Sequence, residues 1–277
     1  MDDIPDLLEI ASGVPKKDAI SINLYKELLL HSQTIRDSYL KDVDTFHNQL
    51  SFNDINETCY IKMYSDIKPN DEIPPLNTFY ENIDGLKDLN SDAMKFFMKK
   101  RNNSIKGLDV QLGKQFEESF IDFINTKNII AQRADLKNRK LPDIQILDKT
   151  RNIKAYIELK YHHAPFMLSH KLINRESYEG SITLDVKKLH NQIIECDSEI
   201  PNRPVYIVHW VDFHHLKGIF FNTLEQIKDC VNNSSQYERK SREGDYLLQK
   251  KIGYTEKFYP PLHEMGDFHE LLSNIEK

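Results

Sequence analysis

LPDIQILD (residues 141–148) and IKAYIELKY (residues 153–161) are two runs of alternating apolar and polar side chains, joined by the polar link KTRN (149–152). Period-two alternation broken by a short polar link is the signature of a β-hairpin. With the turn at 149–152, Ile144 faces Ile157 and Ile146 faces Ala155, which makes one face of the hairpin wholly apolar, as packing against a helix requires. The opposite face then carries Asp143, Gln145, Tyr156, Glu158 and Lys160. The same register sets Asp143 directly across from Glu158, with Cβ atoms roughly 5 Å apart. Like charges in direct opposition destabilise a sheet, so a cation between the two carboxylates is expected.

Working outward, GKQFEESFIDFINT (113–126) places Phe116, Phe120, Phe123 and Ile124 on one stripe of an amphipathic helix. After the hairpin and a loop with Pro165, residues 184–195 read as a helix with Val186, Leu189 and Ile193 on one side. PVYIVHWVDF (204–213) reads as a buried strand and LKGIFF (216–221) as its hairpin partner. The order helix, strand, strand, helix, strand predicts an α/β core with a mixed sheet. Upstream, Ser21 is expected to cap a helix over 22–50, broken or bent within. A stretch with Pro69, Pro74 and Pro75 marks an internal boundary, and a further helix is expected over 91–101.

At 277 residues and 39% hydrophobic content, the chain can bury a core without disulfide or metal staples. Cys59, Cys196 and Cys230 lie far apart without a CxxC pair, which suits a reducing compartment. No secretory signal and no membrane-length apolar run is visible, so a cytoplasmic protein with no membrane association is expected. The net charge of −6 hides a sharp division. Residues 1–94 carry 8 basic and 18 acidic side chains, residues 95–175 carry 17 and 8, and residues 176–277 carry 12 and 17. A basic middle between acidic flanks suits one surface that approaches phosphates on an otherwise soluble body, although Lys and Arg gathered on a solvated face give the same count.

Carboxylates without thiolate or imidazole partners suit Mg²⁺, which takes one or two of them and completes its shell with water and substrate phosphate. Lys160 leaves the same face two residues beyond Glu158, where its ammonium can reach an attacking water or a phosphate. Phosphodiester hydrolysis needs these parts.

The motif Pro142-Asp143, fourteen residues, then Glu158-Leu159-Lys160 resembles the PD-(D/E)xK nuclease signature, and Gly113 with Glu117 matches its GxxxE helix. The likeness covers about residues 105–220. It implies a restriction-endonuclease-like core: a mixed central sheet flanked by helices, with a helical N-terminal accessory region. The implied division is an accessory region for DNA recognition or dimerisation (1–104) and a catalytic domain with a C-terminal extension (105–277). The resemblance implies that Asp143, Glu158 and the carbonyl of Leu159 bind Mg²⁺ and that Lys160 positions or activates water. Glu117 would serve as an additional acid that touches metal through water or supports a second ion. A type II restriction endonuclease acting on double-stranded DNA is the expected identity, as a homodimer with a cognate DNA methyltransferase in the same genome. A Holliday-junction resolvase or DNA-repair nuclease of the same fold, or a non-catalytic DNA-binding module, is the alternative.

Around the hairpin, Arg133, Lys137, Arg139 and Lys140, together with Lys149, Arg151 and Lys154 at its turn, are candidates for the DNA backbone. Lys171, Asn174 and Arg175 in the loop 161–180 are candidates for base contact. Lys188 and Gln192 lie four apart on the face away from Val186, Leu189 and Ile193, either to reach phosphate or the active-site water or as ordinary solvated residues. Cys196 stands where the RecB-like QxxxY pattern has Tyr, which argues against that branch. His162 and His163 follow the lysine and suit a DNA backbone or polar surface. His209, His214 and His215 lack the CxxC or HExxH companions of a zinc site and are read as satisfied or exposed histidines.

Overall fold

The computed structural model describes residues 19–35, 88, 108–134, 141–162, 182, 184–212, 217–233, 237–238, 256–258, 260 and 264–277. In chain order the elements are helices α1 (Ala19–His31) and α2 (Leu108–Thr126), strands β1 (Ile130–Arg133), β2 (Ile144–Leu147), β3 (Ile153–His162) and β4 (Leu184–Asp185), and helix α3 (Val186–Glu199). Strands β5 (Val205–Asp212) and β6 (Lys217–Thr223), helix α4 (Leu224–Asn233), strands β7 (Tyr237–Glu238) and β8 (Glu256–Phe258) and helix α5 (Phe268–Glu276) follow. A mixed five-stranded sheet runs β1-β2-β3-β5-β6, and β4, β8 and β7 form a small second sheet. The link from β3 to β5 carries a helix, and those strands pair parallel, whereas the other neighbours are antiparallel. This is the expected α/β architecture, a mixed central sheet flanked by helices.

The hairpin has the register that alternation demands: Ile144 pairs with Ile157, Gln145 with Tyr156 and Ile146 with Ala155, before a bulge brings Leu147 opposite Ile153. Its turn is tied by one side chain. Asp148 accepts from the backbone N–H of Thr150 and of Asn152 at 2.8 and 2.9 Å. Arg151 takes the left-handed conformation (φ 69°) that closes the reversal.

Ile144, Ile146, Ala155, Ile157 and Leu159 pack with Phe116, Phe120, Phe123 and Ile124 of α2, Leu28 and Leu29 of α1, and Phe268, Leu271 and Ile275 of α5. Phe116 stacks on Tyr161 with centroids 3.6 Å apart and meets Trp210 edge-on at 5.1 Å. The hairpin's other face is covered too. Tyr156 joins Val205, Ile207 and Val211 of β5 with Val186, Leu189 and Cys196 of α3 and Leu224 and Ile227 of α4. The face that alternation marks as polar is thus an interior wall under α3.

Several expectations need correcting. The first helix begins at Ala19, not after a Ser21 cap. Ser21 lies within it, and its hydroxyl accepts the backbone N–H of His269 at 2.8 Å, so it serves α5 instead of its own helix. Although it comes from the stretch read as accessory, α1 sits in the main apolar cluster, where Tyr25 donates to the Val211 carbonyl at 2.9 Å. The segment from Leu184 opens as a two-residue strand before α3 starts, with Asp185 accepting from the Lys188 N–H at its N-cap. Strand β1 and helices α4 and α5 were not anticipated. The expected boundary at 66–77 and the helix over 91–101 lie outside the described residues.

Both outer strands of the large sheet are partly sealed. Asn125 binds the outward backbone of Ala131, accepting from its N–H at 2.8 Å and donating to its carbonyl at 3.2 Å. On β6, Phe221 and Gly266 exchange two backbone hydrogen bonds of 2.9 Å. A Cβ on Gly266 would stand 2.1 Å from the Phe221 ring, so the close approach needs glycine. Among the described residues, no helix is long and apolar enough to cross a membrane.

Candidate active site

The site lies between the hairpin's inner wall and α3, with α2 at one side. Asp143 ends the approach to β2, and its carbonyl accepts from the Ala134 N–H of the β1 edge at 2.8 Å. This extends the ladder by one rung beyond β2, and the two carboxyl groups that register sets opposite each other are hydrogen-bonding neighbours. Burial, followed by the charge of Glu158, pushes Asp143 up to about 7. Near neutral pH Asp143 is therefore only partly ionised while Glu158 keeps its charge.

Glu158 is 3% exposed. Burial alone would raise its pKa, but Lys160 and Lys188 beside it, with hydrogen bonds from Lys160 and Gln192, outweigh that cost and hold it at about 2. Each carboxylate oxygen has its own partners. Gln192 Nε2 donates to Oε2 at 2.8 Å, whereas Lys160 Nζ contacts Oε1 and Lys188 Nζ lies 3.6 Å from the same atom. Burial disfavours the Lys160 ammonium, yet Glu158 more than compensates and raises its pKa. Lys188 is pushed down, first by Lys160 and then by burial.

Glu117 projects from α2 toward the same place. Burial raises its pKa, as does Glu158, against the pull of Arg133. Arg133 at the end of β1 holds it at 3.2 Å and also reaches Glu118 Oε1 at 3.2 Å and the Lys114 carbonyl at 3.1 Å. Three carboxylates, Glu117, Asp143 and Glu158, face three cations, Arg133, Lys160 and Lys188. Gly113, one turn before Glu117, has no steric need to be glycine: a Cβ there would meet nothing within 4 Å.

The structure thus brings Lys160, Lys188 and Gln192 onto Glu158, with Asp143 beside it and Glu117, paired with Arg133, close enough to be felt electrostatically, and with Leu159 in the strand between its two charged neighbours. Arg133 is engaged by acids of α2 instead of standing free at the surface. Lys154 donates to the Glu276 carbonyl of α5 at 2.6 Å, and Lys149 and Arg151 are exposed at the hairpin turn. Lys137, Arg139, Lys140, Lys171, Asn174, Arg175, His163, His214 and His215 lie outside the described residues.

Gln192 corrects the helical-face assignment. It is 5% exposed and shares the inward side of α3 with Val186, Leu189 and Cys196, while Ile194 points outward. Hydropathy placed a glutamine in solvent; the signal that finds it is the buried carboxylate opposite, which requires donors. Farther along the same wall, His209 is fully buried with Nδ1 3.2 Å from His162 Nε2. Burial, then His162 and Lys160, drives its pKa well below the ordinary value, so it is neutral at pH 7.

The donor set is hard. Among the described residues, no three His, Cys, Asp or Glu side chains gather into a ready-made metal cluster. Two adjoining carboxyl groups nonetheless fit an ion such as Mg²⁺, which needs only one or two protein carboxylates and fills the rest of its shell with water and phosphate.

No family model matches the chain, and no curated protein matches it. Among solved structures, Archaeoglobus fulgidus Hjc, a Holliday junction resolvase from an archaeal hyperthermophile, aligns with a TM-score of 0.33 and 11% identity over 58% of this chain and 95% of that one. A nuclease from a fusselovirus aligns with a TM-score of 0.37 and 11% identity over 60% and 92%.

Proposed function

We propose that this protein is an Mg²⁺-dependent endonuclease that hydrolyses phosphodiester bonds in double-stranded DNA, with type II restriction as its biological setting. One observation carries the reading: the hairpin sets Asp143 beside the buried carboxylate of Glu158, with Lys160 two residues on in contact with the same acid. Burying the Glu158 carboxylate amid other charges is costly relative to an apolar wall, and a catalytic task accounts for the cost.

Asp143 and Glu158 would hold the ion, with the Leu159 carbonyl, and Glu117 would lie within reach through water. When bound, the ion supplies Lewis-acid polarisation of the phosphate and a lowered pKa for its water. The rest falls to the chain's own side chains. Gln192 is a positioning residue: by occupying Oε2 it fixes the carboxylate plane and leaves Oε1 as the outward atom. Lys160, kept in its ammonium form by Glu158, donates to a phosphate oxygen or orients the nucleophile rather than removing its proton. Arg133 keeps Glu117 aimed at the site.

The test is incubation with phage DNA and with a four-way junction, in Mg²⁺ and in EDTA. Discrete Mg²⁺-dependent bands from duplex are expected, and Asp143→Asn should lower the rate by about 10²-fold or more while the fold persists. Cleavage confined to the junction moves the assignment to a resolvase. No cutting of either substrate in Mg²⁺ or Mn²⁺ overturns the enzymatic reading.

A further inference from the structure

Glu158 Oε1 is shared by two ammonium groups. Oε2 is already taken by Gln192, so Lys160 and Lys188 must both be served by the remaining oxygen. Their freedom differs. Lys160 leaves the middle of β3 with its side chain 22% exposed, whereas Lys188 leaves the first turn of α3 with 66% exposure. The acid nearest Lys188 in sequence, Asp185, is held by Lys257 at 2.9 Å and caps the helix with its other oxygen. Like charges crowded on one oxygen repel, and the group with a solvated stem is the one that gives way at little cost.

We propose that Lys188 is an exchangeable cation: in the free protein it shares the charge of Glu158 Oε1 with Lys160, and on encountering DNA it transfers to a backbone phosphate and vacates its side of Oε1 for the divalent ion, Lys160 staying in place. This rests on the nuclease reading and adds a control to it. Phosphate draws Lys188 outward and the ion displaces it from Glu158, so each ligand favours the other. By linkage the coupling is reciprocal. The chain would then gather a metal poorly when no substrate is present, which restrains stray hydrolysis.

Lys188→Met removes the charge and keeps the aliphatic stem on an exposed helical position. Two measurements on the full chain avoid cleavage altogether. The first is Mn²⁺ binding without DNA, followed by loss of the free-ion paramagnetic resonance signal. The second is binding of a fluorescent mixed-sequence duplex in EDTA across a salt series. Lys188→Met is expected to bind Mn²⁺ about fivefold more tightly. It should bind duplex more weakly, with a log–log salt slope shallower by about 1. A merely solvated lysine shifts neither constant, a plain phosphate contact shifts only the DNA constant, and a plain counter-ion shifts only the metal constant; any of these three overturns the exchange. If the unmodified chain binds neither Mn²⁺ nor duplex, the nuclease reading falls and this one with it. If it binds both and Lys188→Met behaves identically, the exchange alone falls.

Discussion

The two faces of β3 are built from the same ten residues and live by different rules. Ala155, Ile157 and Leu159 look into an apolar layer built of aliphatic and aromatic side chains from α1, α2 and α5. Tyr156, Glu158 and Lys160 look the other way, where apolar side chains surround Tyr156 while charged and amide groups meet Glu158 and Lys160. On the first face stability comes from area removed from water, and partners are interchangeable so long as volume is filled. On the second each group needs a particular partner at a particular distance, because an unpaired buried charge costs more than its pairing returns. The proposed function rests on the second face, where neighbouring charges shift the protonation of Asp143 and Glu158.

The comparison breaks most visibly at Ile157, which is fully buried. Ile157→Ala should cost about 2–5 kcal/mol of unfolding free energy, read by denaturant titration, while the folded fraction keeps its affinity for Mn²⁺. A loss of metal binding without a loss of stability would show that the faces are not separable.

A smaller and pH-dependent effect sharpens the contrast from the charged side. The folded chain holds a proton on Asp143 up to about 7, whereas an unfolded aspartate releases it near about 4. Between these values the folded state binds more protons, so stability attributable to Asp143 falls as pH rises, by at most about 1.4 kcal/mol per pH unit, and levels off above about 7. Glu158, held at about 2, acts in the opposite sense only below the ordinary carboxylate range. In EDTA, the melting temperature of the unmodified chain minus that of Asp143→Asn should therefore decline from pH 4 to 7. A rising difference would mean that Asp143 is already ionised in the fold.

The smallest effect belongs to neither face. Lys228 bridges Asp197 and Glu225, acids that are 55% and 77% exposed. Lys228→Ala should change stability by no more than about 0.5 kcal/mol in thermal melts, since solvent screens such pairs. A larger loss would mean that exposed ion pairs rival the buried ones here.

The hairpin was legible because alternation over residues 141–161 admits one register that puts Ile144, Ile146, Ala155, Ile157 and Leu159 on one face, and that register carries Asp143 to Glu158. What escaped the sequence did so for physical reasons that differ by element. Strand β1, IAQR, is too short for a period of two to declare itself, and its place is fixed by Asn125 and by pairing with β2. Gln192 was misplaced because amphipathic patterns assume that polar means outward, an assumption that fails wherever a buried charge must be solvated by protein. Helix α5 was within reach: Phe268, Leu271, Leu272 and Ile275 recur at helical spacing behind an Asp267 N-cap. Residues 1–104 were read as an accessory region, and Tyr25, Leu28 and Leu29 of that stretch belong to the main apolar cluster.

The occupied rungs at Ala131 and Phe221 bear on how copies of this chain can meet. A neighbouring molecule that approached edge-on would find part of the hydrogen-bonding ladder on either outermost strand already spent, at one end on an amide side chain and at the other on the backbone of Gly266. Growth of one continuous sheet through successive molecules is thereby obstructed, which guards against fibrous self-assembly. A pair of centres acting on two DNA strands would instead have to be yoked through side-chain contacts on helices or loops.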